Sequence, residues 1–307
     1  MTYQQNLMSK NGLATMALAK EFIKYEIGDR VPTVSEFTDS LGFARGTIQN
    51  ALKNMTLSNA ITVESKGHLG SYLIKKDMRI LLETAGINNL VGAMPLPYSK
   101  KYEGLASGLV SAMENYYNLP IVMSYMRGAK NRIDMVVNKR YDFAIVSKFA
   151  ADQYMNDNDT IKIVKSFGEG SYCSKHVLIF HDSKVTEISD GMRVGVDNDS
   201  IDQQDVIRKE CEGKNVEFIP VEYSTLLSRI IEGNLDATIW NLDEVLDKGL
   251  NMNWKESVYS NPTDTEAVII VSKEREEMFT LLDKIISVKN VLNFQQLVVD
   301  GKITPKY

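Results

Sequence analysis

The chain has 307 residues, enough for about two domains. Its 44% hydrophobic and 24% charged residues are ordinary for a globular protein. No stretch approaches the roughly 18 consecutive apolar residues of a membrane span. The opening residues Met1 to Asn6 lack the basic region and apolar core of a secretion signal, so the expectation is a cytoplasmic protein with no membrane partner. A net charge of −5 disfavours general coating of nucleic acid. Residues 1–77 hold 9 basic and 7 acidic side chains, leaving 26 and 33 for the remainder, so a mildly basic head precedes an acidic body.

In the head, the pattern from Asn11 to Glu26 is helical, with Leu13, Met16, Ala17 and Ile23 on one face and Gly28 as a stop. Thr33 and Glu36 form a capping box for a second helix, whose Val34, Phe37 and Leu41 make a buried stripe ended by Gly42. A third helix starts near Arg45. Its Ile48, Ala51, Leu52 and Met55 face inward, and Thr47, Gln49, Asn50 and Lys53 face out. Ile61–Ser65 and Ser71–Ile74 read as strands around the turn Lys66-Gly67-His68-Leu69-Gly70. Three helices and a hairpin make a winged helix-turn-helix. Residues 77–86 read as a linker, giving domains 1–77 and 78–307.

From Ile87 onward strands and helices alternate, an α/β pattern. Strands are expected at 90–94, 120–125 and 143–146, and again at 192–196, 216–220 and 237–240. Residues 137–146 and 232–240 share an order of helix end, polar turn, Asp and buried strand, which predicts two similar lobes. Two long strands, 175–181 and 266–272, are the expected crossovers between them.

An α-helix fits the major groove, and residues near its start reach base edges. Arg45 can pair with guanine, Gln49 and Asn50 with adenine, and Lys53 with phosphate. Lys66 and His68 flank wing glycines that let the backbone approach DNA. The run Val31-Pro32-Thr33-Val34-Ser35-Glu36-Phe37, with Leu41-Gly42-Phe43-Ala44-Arg45-Gly46-Thr47-Ile48-Gln49-Asn50-Ala51-Leu52 and Gly67-His68-Leu69-Gly70-Ser71-Tyr72-Leu73, resembles the winged helix of GntR-type regulators. The resemblance implies that Arg45, Thr47, Gln49 and the wing loop lie at DNA. Two departures stand out. Ala44 occupies a position where that family has Ser or Thr, which removes a helix cap. Gln49 stands where Arg is frequent, which alters base preference.

In the body, Gly92-Ala93-Met94-Pro95-Leu96-Pro97-Tyr98-Ser99-Lys100-Lys101-Tyr102-Glu103-Gly104-Leu105-Ala106-Ser107-Gly108-Leu109 resembles the signature of the YhfZ family, regulators with a GntR-like head. The resemblance implies a C-terminal domain similar to type II periplasmic-binding-protein folds. In open α/β sheets ligands sit off the carboxyl ends of strands, where helix N-termini offer free N–H groups. Such ends occur at Pro97-Tyr98-Ser99, Arg127-Gly128, Ser147-Lys148, Asn198 to Ser200, and Asn241. Tyr172 and Ser174, in the stretch between the lobes, are placed to floor the cleft. Tyr98, Tyr102 and Tyr172 can stack on a ligand, and Glu103 can meet an amino group. Lys148 and Arg127 favour an acidic effector. Each residue also has a plain role: Ser99 and Asn241 suit helix caps, Asn241-Leu242-Asp243-Glu244 is itself a capping box, and Tyr102 suits a core.

The expected partners are double-stranded operator DNA, a small-molecule effector and a second copy of the chain. A dimer places two recognition helices about one turn apart on a palindromic site. Cys173 and Cys211 are far apart, and His68, His176 and His181 lack ligand spacing, so no metal or other cofactor is expected and the thiols are structural. Phosphate-binding loop, dinucleotide fingerprint, HExxH and nucleophile elbow are all absent from the sequence. The alternative, a transferase-like enzyme on the binding-protein fold, has no motif of its own.

Overall fold

The computed structural model describes residues 9–114, 116–117, 119–250 and 252–307. Two compact units emerge. One comprises residues 1–90, 114–121 and 275–285, and the other 91–113, 122–274 and 286–307. The first residues, on which the expectation about a secretion signal rests, lie outside the described residues.

In the first unit, α1 (Lys10–Lys24) is capped by Ser9, whose Oγ accepts from Gly12 N at 3.1 Å, and buries Ala14, Leu18, Ala19, Phe22 and Ile23. A two-residue strand, β1 (Arg30–Val31), leads to α2 (Val34–Leu41). The capping box is present: Glu36 N donates to Thr33 Oγ1 at 3.3 Å and Thr33 N to Glu36 Oε2 at 2.6 Å. Gly42 ends α2 with φ 71°, a left-handed conformation that glycine adopts cheaply. Helix α3 (Arg45–Leu57) starts from Ala44 with no side-chain cap and buries Ile48, Ala51 and Met55.

The wing is β2 (Ile61–Ser65) and β3 (Ser71–Lys76), joined through a single 3₁₀ turn at Gly67–Leu69. It is a three-stranded antiparallel sheet in the order β1-β3-β2, because Arg30 and Val31 pair with Tyr72 and Ser71. A pair that short leaves no alternating pattern, so only two strands were readable in the sequence.

The stretch expected as a linker is instead a helix, α4 (Met78–Thr84). Asp77 caps it, accepting from Ile80 N at 3.1 Å, and Met78, Leu81 and Leu82 are buried. These three sit at the i, i+3, i+4 spacing of one helix face, and α4 packs on α1.

The second unit carries two five-stranded sheets with the same order. The elements of the first are β4 (Leu90–Met94), α5 (Lys100–Glu114), β5 (Ile121–Tyr125), α6 (Ala129–Val137), β6 (Phe143–Ser147), α7 (Lys148–Asp157) and β7 (Ile161–Ser166). Those of the second are β8 (His176–Phe180), β9 (Arg193–Val196), α8 (Ile201–Glu210), β10 (Glu217–Pro220), α9 (Tyr223–Ile231), β11 (Ala237–Asn241), α10 (Leu242–Asp247) and β12 (Asn253–Glu256). The chain then returns through α11 (Pro262–Thr265) to β13 (Ala267–Ser272) of the first sheet.

The orders are β5-β4-β6-β13-β7 and β10-β9-β11-β8-β12. In the first, β4 and β6 run parallel while β13 pairs antiparallel with β6 and β7. In the second, β9 is parallel to β10 and β11 while β8 pairs antiparallel with β11 and β12. The two expected lobes are therefore present. The long strands β8 and β13 are the inserted antiparallel strand of each sheet, and the chain crosses between lobes just before them. Every residue of β6, β8, β11 and β13 is buried, which explains their unbroken apolar runs.

Two C-terminal helices follow, α12 (Glu276–Ile285) and α13 (Val288–Val299). Helix α12 belongs to the first unit and packs on α1, with Lys284 Nζ bonded to Glu26 at 3.0 Å. Helix α13 packs on α5, where the expected signature places Gly104 and Gly108. A Cβ on Gly108 would lie 2.6 Å from the Val291 carbonyl oxygen, so the helices meet backbone to backbone there.

Candidate functional site

On the first unit, Arg45, Gln49, Asn50 and Lys53 are exposed and Thr47 is half-buried. All five lie on α3, whose other face is the buried Ile48-Ala51-Met55 stripe. Among the described residues none of the five makes a side-chain hydrogen bond or ion pair. On the wing Lys66 and His68 are exposed, and Lys66 Nζ sits 4.8 Å over the Tyr72 ring. The surface thus offers two cations, two amides and a hydroxyl on one helix, with two further groups on a turn.

In the second unit a cavity of about 80 Å³ opens at the carboxyl ends of the parallel strands of both lobes. One water needs about 10–15 Å³ by a comparable measure, so the space is large enough for a small molecule. Residues of the first lobe include Tyr98, Tyr102, Arg127, Gly128 and Arg132. The crossing stretch gives Tyr172, and β8 opens on His176. The second lobe gives Asp197, Asp199, Ser200, Asp202, Gln203, Tyr223 and Asn241.

The lobes meet around this cavity. Arg127 Nη1 donates to Glu222 Oε2 at 3.1 Å, and its Nη2 lies 3.3 Å from Asp197 Oδ2. Burial works against the Arg127 charge, but Asp197 and Glu222 together offset it and the pKa is raised. Its Nε is buried without a partner. Ser147 donates to Asp202 Oδ1 at 2.6 Å. Tyr98 stacks on Tyr223 with ring centroids 5.2 Å apart, and Tyr223 stacks on Trp240 at 4.1 Å, forming a three-ring column. Tyr223 also donates to Glu244 Oε2 at 2.6 Å.

The floor is fixed by Arg132, which is 3% exposed. It donates to the Ile145 carbonyl (2.9 Å), the Met126 carbonyl (2.6 Å) and the Tyr172 hydroxyl (3.0 Å). Tyr172 meets Tyr102 edge to face at 5.2 Å. Burial shifts the titrations: the Tyr172 phenol is pushed up to about 12 and the Asp202 carboxyl up to about 7, the latter opposed by its Ser147 hydrogen bond. Burial lowers His176 to about 4. Its Nε2 lies 3.8 Å from Cys173 Sγ, and its Nδ1 is buried without a partner. Cys173 and Cys211 are buried free thiols, both raised by burial. No group of three or more His, Cys, Asp or Glu is placed to hold a metal among the described residues.

Half of the expected ligand contacts line the cavity: Tyr98, Tyr102, Arg127, Gly128, Tyr172, Ser200 and Asn241. The other half do not, and most have protein partners instead. Ser99 Oγ accepts from Tyr102 N at 3.4 Å, and Glu103 accepts from the Tyr307 hydroxyl at 3.2 Å. Ser147 caps α7 while holding Asp202, and Lys148 pairs with Asp152 one turn along at 2.6 Å. Ser174 is held by Asp243 through its backbone N–H (2.7 Å) and hydroxyl (2.5 Å). The Asn198 carbonyl accepts from Gln204. Pro97 lies outside the lining in the turn before α5. The capping box expected at Asn241 is half formed. Asn241 Oδ1 accepts from Asp243 N at 2.9 Å, but Glu244 turns to Tyr223 and Lys248.

Sequence reasoning missed Arg132, His176, Asp197, Asp199, Asp202, Gln203 and Tyr223. A readable signal existed for three of them, because Asp197, Asp199 and Asp202 surround the start of α8, where acidic residues suit the helix dipole.

Comparison with known proteins agrees with this architecture. Residues 26–73 match a helix-turn-helix domain. Residues 77–307 match the YhfZ C-terminal domain. The protein YhfZ of Escherichia coli (strain K12) is 34% identical over 309 residues, covering 99% of this chain and all of its own length. The crystal structure of YhfZ from Shigella flexneri has a TM-score of 0.61 at 34% identity over 75% of this chain and 97% of its own. The substrate-binding protein of a methionine transporter from Streptococcus pneumoniae has a TM-score of 0.52 at 11% identity over 72% of this chain and 96% of its own, a likeness of fold. An N-terminal helix-turn-helix is thus followed by a domain of periplasmic-binding-protein fold, and the chain belongs to the YhfZ family.

Proposed function

We propose that this protein is a DNA-binding transcription regulator whose two-lobed domain binds a small molecule and thereby changes its affinity for an operator. The observation that carries the reading is the pairing, in one chain, of an uncommitted polar face on α3 with a cavity that holds unpartnered buried polar atoms, Arg127 Nε and His176 Nδ1. Native proteins rarely leave such atoms unsatisfied, and a ligand supplies the missing partners. The functional modules are residues 1–77 for DNA and 78–307 for the effector, and the acting species is a cytoplasmic homodimer on a palindromic site. Arg45, Thr47, Gln49, Asn50 and Lys53 read DNA, with Lys66 and His68 contacting it from the wing. Tyr98, Tyr102, Arg127, Gly128, Tyr172, Ser200 and Asn241 contact the effector. The chain passes between the compact units at 90/91, 113/114, 121/122, 274/275 and 285/286, so strand movements in the lobes have covalent routes to the head unit.

Selection of bound sequences from random duplex DNA by the full chain tests the reading. A recovered palindrome, bound with a steep dependence on salt, supports it. Equal retention of all sequences contradicts it. A second reading, an enzyme, is favoured by one observation: a buried carboxyl titrating near neutrality, Asp202, stands in the cavity, as general acids and bases do. Turnover of a bound small molecule, followed by nuclear magnetic resonance, would select that reading.

A further inference from the structure

We infer that the ligand of the cavity is a small primary amine, its ammonium group received by the aspartates of the second lobe and one acceptor atom of the molecule received by Arg127 Nε. This rests on the small-molecule reading above and names its chemical class. An anionic effector, which Lys148 and Arg127 favour in the sequence, meets no unpaired cationic side chain in the cavity among the described residues.

The cavity wall contains three aspartates, Asp197, Asp199 and Asp202, against two arginines. Both guanidinium groups are spent on the protein. Arg132 commits Nε, Nη1 and Nη2 to two backbone carbonyls and the Tyr172 hydroxyl. Arg127 commits Nη1 to Glu222 and Nη2 to Asp197, leaving Nε as its one nitrogen without a hydrogen-bond partner. Lys148 is paired with Asp152 and does not line the cavity. A phosphate or dicarboxylate would meet three aspartates and only one guanidinium nitrogen, Arg127 Nε, that has no partner already. An ammonium group finds the opposite. Asp199 makes no side-chain hydrogen bond or ion pair among the described residues and is exposed, while Asp202 is 6% exposed and reaches the cavity wall.

Three independent features agree. Three phenol rings, Tyr98, Tyr102 and Tyr172, line the same space beside Tyr223, whose own faces are covered by Tyr98 and Trp240, and a phenol face attracts cations. His176 is 4% exposed, with Nδ1 unpartnered, and burial keeps it neutral, so it adds no competing charge near pH 7. The volume of about 80 Å³ accommodates an amino alcohol or a short amino acid. An ammonium beside Asp202 holds that carboxyl ionised, so binding near pH 7 releases protons. An anion in the same place would take protons up.

The test uses the full chain and matched pairs of compounds: ethanolamine and ethylene glycol, L-alanine and propionate, L-serine and glycerate, with glycerol 3-phosphate and glucose alongside. The expected result is that at least one amine raises the melting temperature where its des-amino partner does not, and that Asp202→Asn weakens that amine by roughly 30-fold or more. Should Asp202→Asn fail to fold, calorimetry of the unaltered protein in PIPES and HEPES keeps the question open to an answer. Net proton release is expected, and uptake or no exchange contradicts the amine. Equal stabilisation by the des-amino partner, or stabilisation by the phosphate or the sugar alone, overturns the amine while leaving a small-molecule sensor standing. An amine whose affinity is unchanged in both Asp202→Asn and Tyr98→Ala binds elsewhere and overturns the site. Silence from every compound counts against the sensor reading itself, and the amine falls with it.

Discussion

Ser147 closes the third strand-to-helix turn of its lobe by capping α7, and with the same hydroxyl it donates to Asp202 on α8 of the other lobe at 2.6 Å. One side chain thus fixes a helix start and ties the lobes at the cavity edge. Asp202 is the partner whose ionisation should be visible. Burial raises it from 3.8 to about 7, so between those values the folded chain holds a proton that the unfolded chain has lost. Its stabilising contribution is full below pH 3.8 and disappears as pH rises toward 7, with a slope of at most about 1.4 kcal/mol per pH unit.

His176 slopes the other way. Burial lowers it from 6.5 to about 4, so its contribution is present above pH 6.5 and lost as pH falls through 4. The two oppose each other across most of one window. Melting temperatures measured from pH 4.5 to 7.5 (a range chosen around those values) should be nearly flat for the natural chain over the acidic part. In Asp202→Asn the midpoint should climb with pH, because His176 acts alone. Parallel curves for both proteins would contradict the assigned ionisations.

Helix α3 starts at Ala44 with φ −60° and ψ 147°, an N-cap backbone without an N-cap side chain. Ala44→Ser supplies the missing oxygen for an orphan N–H. Chemical denaturation should show a gain of about 1 kcal/mol in the stability of the transition that melts this helix.

Helices α5 and α13 touch backbone to backbone at Gly108, where an added methyl would meet the Val291 carbonyl oxygen at 2.6 Å. Gly108→Ala should cost about 1–3 kcal/mol through overpacking, more than enough to oppose alanine's better helix propensity. A melting temperature equal to or above that of the natural chain would show that the helices separate without cost.

Arg45 and Gln49 sit one turn apart on the open face of α3. The double replacement Arg45→Ala, Gln49→Ala should reduce affinity for the selected duplex by about 2–6 kcal/mol in total and erase preference at the contacted bases. Lys53→Ala should weaken all sequences alike and reduce the salt slope by about 1. Fluorescence anisotropy at several salt concentrations separates the two effects.

The winged helix was legible because its signals are local. Thr33 and Glu36 box one helix start, Gly42 ends that helix, and Ile48-Ala51-Met55 repeat at helical spacing. The paired lobes were legible for the same reason, through strands such as Phe143–Ser147 and Ala237–Asn241 that are buried on both faces. The helix at 78–84 was also written in the sequence, in the Asp77 cap and the Met78-Leu81-Leu82 spacing, but its shortness let it pass for a linker.

The cavity was only half legible. Strand-end reasoning located Tyr98, Arg127, Ser200 and Asn241, since those positions follow from topology. It could not tell which polar groups were already satisfied. Ser174 is taken by Asp243 and Glu103 by Tyr307, partners 69 and 204 residues away in the chain. Tyr223 stacks between Trp240 and Tyr98 only because two lobes meet there, and no local pattern encodes that.

The most direct measurement is the affinity of the full chain for its selected duplex, with and without a saturating concentration of the amine that most raises its melting temperature. A shift of about 5- to 150-fold, in either direction, is expected from a coupling of about 1–3 kcal/mol, and it should vanish in a variant that no longer binds the amine. Identical affinity with the site empty and filled would contradict regulation by this cavity.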